Sequence, residues 1–125
     1  MDDQDPRQVP IYTTSEVARW FGHGRKWWRE RRPDGMTRWT FAAVATALGV
    51  PDTEPIPLPR APVPMTMDLR YAWGLPRLVR GGIAWWIVAE RLAVGASDAE
   101  IAADWDLPAE DVAALRAAYA KGVRP

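Results

Sequence analysis

The chain has 125 residues, with 16 basic and 16 acidic side chains and no cysteine. That length buries a modest core, enough for one ordinary domain or two very small ones. The lack of cysteine excludes disulfide and thiolate chemistry and makes a reducing cytoplasm the expected compartment, and the zero net charge leaves the nature of any partner to the distribution of charge along the chain.

That distribution is uneven. Residues 11 to 40 hold seven basic against three acidic side chains, and residues 83 to 125 hold four against seven. Asymmetry of this kind points to one half meeting an anionic polymer while the other half does something else. The acidic start MDDQDP lacks the positive flank and apolar core of a signal peptide, and the apolar run GGIAWWIVAE is too short to span a bilayer. A cytoplasmic, nucleoid-associated protein with no membrane partner is the expectation.

In chain order, residues 1 to 10 read as a disordered polar arm. Thr13 and Glu16 stand at capping-box spacing ahead of Val17, Trp20 and Phe21, which predicts a helix over residues 14 to 21. Gly22 and Gly24 flank His23 in a tight turn. A second short helix follows from Arg25 to Arg32, stopped by the Pro33-Asp34-Gly35 turn. Residues 36 to 40 are a candidate short β wing. Thr40 then caps a third helix, in which Phe41, Val44, Ala45 and Leu48 recur on one face before Gly49.

Residues 51 to 64, PDTEPIPLPRAPVP, carry six prolines, a density that opposes helix and favours extended polyproline II. The stretch 51 to 66 is therefore expected to be a semi-rigid spacer between a module at 11 to 50 and one at 67 to 122. Residues 69 to 80 read as short strand or irregular structure. Helical periodicity resumes from Ile83 to Val94, Ser97 and Glu100 repeat the capping-box spacing, and Pro108 opens a last helix that stops at Gly122. The expected fold class is mainly α: two small helix-turn-helix-like three-helix modules joined by a Pro-rich linker.

The charge concentrates where the apolar bulk does. FGHGRKWWRERRPDG, residues 21 to 35, sets Trp27 and Trp28 among five basic side chains. Adjacent helical residues point about 100° apart, so only one of the pair can face the core centrally. Trp28 is the inward residue by spacing from Val17 and Phe21, and Trp27 falls at the edge, free to brace against sugar and phosphate. Arg25, Lys26, Arg29 and Arg32 then line the outer faces, where arginine pairs bidentately with guanine or phosphate. A short helix, a glycine turn and a basic second helix describe a helix-turn-helix. With Thr14 and Ser15 at the start of the first helix and Arg38 on the wing, these are the candidate DNA-contacting residues.

TTSEVARWFGHGRKWWRERRPDG, followed by MTRW, resembles the excisionase-like and MerR-like helix-turn-helix in its Thr-Ser-Glu-Val-Ala start, glycine turn, Arg-rich second helix and short wing. That family usually carries an aromatic three residues beyond the position of Trp28, where this chain has Arg31. The back half resembles a small bacterial antitoxin domain, formerly of unknown function, encoded beside PIN-like ribonuclease toxins. Gly74, Pro76, Val79, Arg80 and Gly81 match its opening, followed by Leu92-Ala93, Gly95, Ser97, Glu100-Ile101-Ala102, Asp104, Leu107 and Glu110-Asp111-Val112. Its usual Gly-Thr-Arg after the opening arginine is here Gly81-Gly82-Ile83. The resemblance implies a partner-binding role for Arg80, toward a PIN-like toxin or a second copy of the chain, and the adjacency of Trp85 and Trp86 on one helix leaves one for the core and the other as an interface anchor.

Catalysis is not expected. His23 is the only histidine, and the carboxylates Asp98, Glu100, Asp104, Asp106, Glu110 and Asp111 lack calcium-loop spacing and suit helix N-termini. No cofactor or metal is implied. The expected function is a sequence-specific regulator of double-stranded DNA, of the antitoxin and autorepressor type. The alternatives are a phage or plasmid excisionase or repressor using both modules on an asymmetric site, and a protein-interaction adaptor without DNA contact.

Overall fold

A computed structural model describes residues 5–71 and 74–123. The described residues contain six α-helices and three short strands and fall into two compact units that part between Arg60 and Ala61. No helix among them is long and apolar enough to cross a membrane.

Unit 1 begins with a 3-10 turn at Pro6–Gln8, where the Asp5 carboxylate accepts the Arg7 backbone N–H and pairs with the Arg7 guanidinium. This turn packs on the third helix, so the part of the polar arm from residue 5 onward is ordered, while residues 1–4 lie outside the described residues. Helix α1 (Thr14–Phe21) opens on a complete capping box: Thr13 Oγ1 accepts from Glu16 N at 3.1 Å and Thr13 N donates to the Glu16 carboxylate at 2.8 Å. Helix α2 (Arg25–Arg31) follows a turn in which Gly22 has φ +84°, a left-handed backbone that strains a side chain. Helix α3 (Phe41–Leu48) is capped by the Thr40 hydroxyl and ended by left-handed Gly49.

The expected wing at 36 to 40 shortens to a single antiparallel bridge between Trp39 and Tyr12, with Trp39 N donating to Tyr12 O at 2.6 Å. Five residues between a proline turn and a capped helix leave no length for a ladder. Tyr12, Val17, Trp20, Trp28, Trp39, Phe41 and Val44 form an aromatic-rich core. The Tyr12–Trp20 and Trp28–Trp39 pairs meet edge to face at centroid distances of 5.8 and 5.2 Å, a geometry that adds about 0.5–1.5 kcal/mol to area burial.

The proline segment is more than a spacer. Ile56 and Leu58 are buried, Ile56–Pro57 forms a short strand, β1, and Arg60 N donates to Trp20 O at 3.3 Å. Alternation of proline with Ile56 and Leu58 gives one apolar edge every second residue, and burial of that edge ties the segment down.

Unit 2 opens with an antiparallel ribbon of β2 (Met65–Met67) and β3 (Pro76–Leu78), in register Met65 with Leu78 and Met67 with Pro76. The strand reading for residues 69 to 80 narrows to β3, because Asp68 starts a turn. Its buried carboxylate takes the Arg70 backbone N–H and pairs with the Arg70 guanidinium at 2.9 Å. Helices α4 (Trp85–Ala93), α5 (Asp98–Trp105) and α6 (Ala109–Ala120) follow, with the Ser97 capping box formed as expected. Trp85, Val88, Leu92, Ile101, Leu107, Val112 and Leu115 are buried among them. Gly81, at φ +88°, lies so close to α5–α6 that a Cβ would fall 2.2 Å from Leu107 Cδ2.

Candidate nucleic-acid interface

Helix α2 divides into three faces. With Trp28 as the core direction, Arg25 and Arg29 stand about 60° and 100° to one side, and Trp27 and Arg31 about 100° and 60° to the other, with Lys26 and Glu30 near the opposite pole. Trp28 is fully buried, and its indole N–H donates to Gly22 O at 2.9 Å, which pins the helix to the turn that precedes it. The ring also meets Phe21 at 6.0 Å. This is the inward tryptophan that helical spacing predicts.

The flank opposite the arginines is closed on itself. The His23 ring lies parallel to Trp27 at 3.8 Å, and the Arg31 guanidinium sits 3.9 Å from the Trp27 centroid while donating to Trp27 O at 3.0 Å. Two groups that near one ring cannot share a face, so His23 and Arg31 cover opposite faces of Trp27. The ring is thus half-buried within its own ladder and offers an edge, rather than a face, to any backbone. His23 holds a positive φ of 59° to reach this position, a backbone state that costs about 1–3 kcal/mol in a residue with a side chain.

On the other flank Arg25 and Arg29, and Lys26 at the outer pole, are exposed and form no ion pair among the described residues, and Arg32, half-buried at the end of α2, forms none among them either. Arg38 is exposed on the segment leading to Trp39, where its guanidinium donates to Ile11 O at 3.4 Å. Ser15 is exposed in the first turn of α1, whereas the Thr14 hydroxyl accepts the Trp39 indole N–H at 3.1 Å. The fold therefore gathers Arg25, Lys26, Arg29 and Arg32 along one helix, carries Arg38 on a separate segment, and commits Thr14 and Trp27 to internal contacts.

Unit 2 treats its cations differently. Arg80 pairs with Asp111 and lies 3.9 Å from Glu110, Arg91 pairs with Asp104 at 2.5 Å, and Arg116 pairs with Asp98. Asp111 is itself buried, so its pair with the exposed Arg80 ties α6 to the loop before α4. Trp85 is 2% exposed and belongs to the core. Trp86 is half-buried and lines an open cleft of about 380 Å³ with Tyr71, Trp105, Ile83 and Ile87. Arg77 stacks over Tyr71 at 4.0 Å and Arg91 over Trp105 at 5.5 Å at the edges of this cleft. Among the described residues no group of three or more His, Cys, Asp or Glu side chains could hold a metal.

Two contributors were not visible in the sequence. The His23–Trp27–Arg31 ladder has an i, i+4, i+8 spacing that could have suggested it, but the turn before α2 hid the His23 position. Arg60 sits in the proline segment, and only its fold-back onto α1 brings its guanidinium to Gly22 at the turn before α2. Comparison with protein families, with curated proteins and with solved structures finds no match to this chain.

Proposed function

We propose that the chain is a sequence-specific regulator that binds double-stranded DNA through α2 of unit 1, with unit 2 holding a protein partner or a second copy, in the manner of an antitoxin that represses its own operon. One observation carries the reading: an arginine-lined flank of α2 that meets no carboxylate among the described residues, braced from behind by a buried, hydrogen-bonded tryptophan. Four cations held on one short helix and its cap suit an anionic polymer, and their spacing lets Arg25 and Arg29 reach along one groove. Binding, rather than turnover, is the activity proposed.

The test is fluorescence anisotropy of the full chain with a labelled duplex from the region upstream of its gene, against a scrambled duplex, over a salt series. Preference for the native duplex is expected, with log K falling against log salt at a slope of about −3 to −5 for the phosphates these cations neutralise. Equal or undetectable binding to both duplexes sinks the reading. A protein-interaction adaptor then takes its place, supported by the aromatic cleft at Trp86, since tryptophan and tyrosine in such positions dominate protein interfaces.

A further inference from the structure

We infer that Arg60, supplied by the proline segment, is a further DNA-contacting residue of unit 1, placed at the turn that leads into α2. The inference rests on the reading of unit 1 as a DNA-binding unit and adds to it a residue 35 positions away in sequence from Arg25. Three observations converge on it. The Arg60 backbone N–H donates to Trp20 O in the last turn of α1, which fixes the segment against the helix pair. Ile56 and Leu58, four and two residues earlier, are buried, and Pro57, Pro59 and Pro62 restrict the backbone between and beyond them. The guanidinium then lies directly over Gly22: a Cβ there would stand 3.0 Å from Arg60 Nε and 3.3 Å from Cζ.

This is a position with consequences. Gly22 is the residue whose carbonyl takes the Trp28 indole N–H, so Arg60 sits on the joint that sets the direction of α2. The side chain is exposed and forms no ion pair or hydrogen bond among the described residues. No carboxylate among the described residues neutralises it, and a long cation with a planar head, held on a restrained backbone, loses little freedom on meeting a phosphate. The proline segment in this account delivers a charge to the turn before α2.

The closing experiment repeats the anisotropy salt series with four full-length proteins: the unaltered chain, Arg60→Gln, Arg60→Lys and Lys121→Gln. Lys121 is an exposed cation at the end of α6 in unit 2 and reports the effect of net charge alone. Removal of one phosphate contact is expected to reduce the salt slope of Arg60→Gln by about 1 and its affinity at 0.1 M salt by roughly 5–10-fold. Arg60→Lys keeps most of the slope, and Lys121→Gln changes neither quantity. Wild-type slope and affinity in Arg60→Gln, or an equal loss in Lys121→Gln, overturns the role of Arg60 while leaving DNA binding intact. If the unaltered chain shows no duplex binding, the reading of unit 1 falls and Arg60 falls with it. Thermal melting of each variant separates a binding loss from unfolding, because the anchoring N–H of residue 60 belongs to the backbone and persists in all four.

Discussion

Each unit carries an adjacent tryptophan pair, and the two pairs answer the same geometric problem in opposite senses. In α2 the second residue, Trp28, goes inside and Trp27 is shut between His23 and Arg31. In α4 the first residue, Trp85, goes inside and Trp86 stays open as a cleft wall. The surrounding charge follows the same division. Unit 1 closes the aromatic flank of α2 and leaves Arg25 and Arg29 without an ion pair among the described residues, whereas unit 2 pairs Arg80, Arg91 and Arg116 with carboxylates and leaves aromatic surface open. An outward tryptophan is therefore not by itself a mark of an interface; what covers its faces decides.

The largest effect expected comes from exchanging core for cavity. Trp28→Ala removes a fully buried ring and its hydrogen bond to Gly22, at a cost of about 3–5 kcal/mol. Circular dichroism on heating should show unit 1 lost and unit 2 retained, with Trp85→Ala giving the reverse. A Trp28→Ala protein that melts with the wild type breaks the contrast between the inward and outward residues of α2.

Gly81→Ala ranks next. The added methyl would meet Leu107 at 2.2 Å and sit at φ +88°, and overpacking together with a left-handed alanine is expected to cost about 2–4 kcal/mol. Urea unfolding should register the loss in unit 2. Arg29→Ala and Arg116→Ala then set the two treatments of charge side by side. Arg29→Ala is expected to weaken duplex binding by about 1–3 kcal/mol if it reads a base, and by a smaller amount, uniform across sequences, if it holds phosphate. Arg116→Ala should leave duplex affinity alone and cost unit 2 about 0.5–1 kcal/mol through its partly exposed pair with Asp98. Equal DNA effects in the two variants would erase the distinction between open and paired arginines.

A finer test concerns the indoles of unit 1. Trp28 and Trp39 donate to Gly22 O and Thr14 Oγ1, whereas the buried Trp20 N–H finds no acceptor among the described residues. Trp20→Phe should therefore be milder than Trp28→Phe by about 1 kcal/mol in denaturant unfolding, since it discards an unsatisfied donor instead of a bond. The smallest effect is one of pH. Hydrogen bonds from the Arg70 guanidinium and backbone N–H hold the Asp68 carboxyl below the ordinary carboxylate range. A carboxylate of this kind contributes stability above its unfolded pKa and loses it as pH falls through the lower folded value. Acid titration of the melting temperature below about pH 4 should accordingly be shallower in Asp68→Asn than in the wild type.

Local signals account for what was legible in advance. The helix bounds of α1, α3 and α5 follow from side-chain caps at Thr13, Thr40 and Ser97 and from glycine at 22 and 49, all of which act within a few residues. The inward turn of Trp28 follows from helical spacing alone. What the sequence withheld depends on contacts distant along the chain. Proline density pointed to a semi-rigid spacer, and the burial of Ile56 and Leu58 makes part of it core. The alignment of Arg80 with an antitoxin-like opening gave no sign of its ion pair with Asp111, 31 residues later. Trp27 was expected to be open because nothing in an isolated α2 covers it; the left-handed backbone at His23 supplies the cover.

Gly22 shows how such distant contacts converge. It reverses the chain with a positive φ, gives its carbonyl to Trp28 and yields the space of its missing side chain to Arg60. In evolutionary terms three separate histories are tied at one codon. Drift at residue 60, in the packing of residue 28 or in the length of the turn each has to pass through position 22, and substitutions at these sites are expected to combine non-additively. A side chain at the joint that orients the helix would meet a strained backbone and the Arg60 guanidinium together.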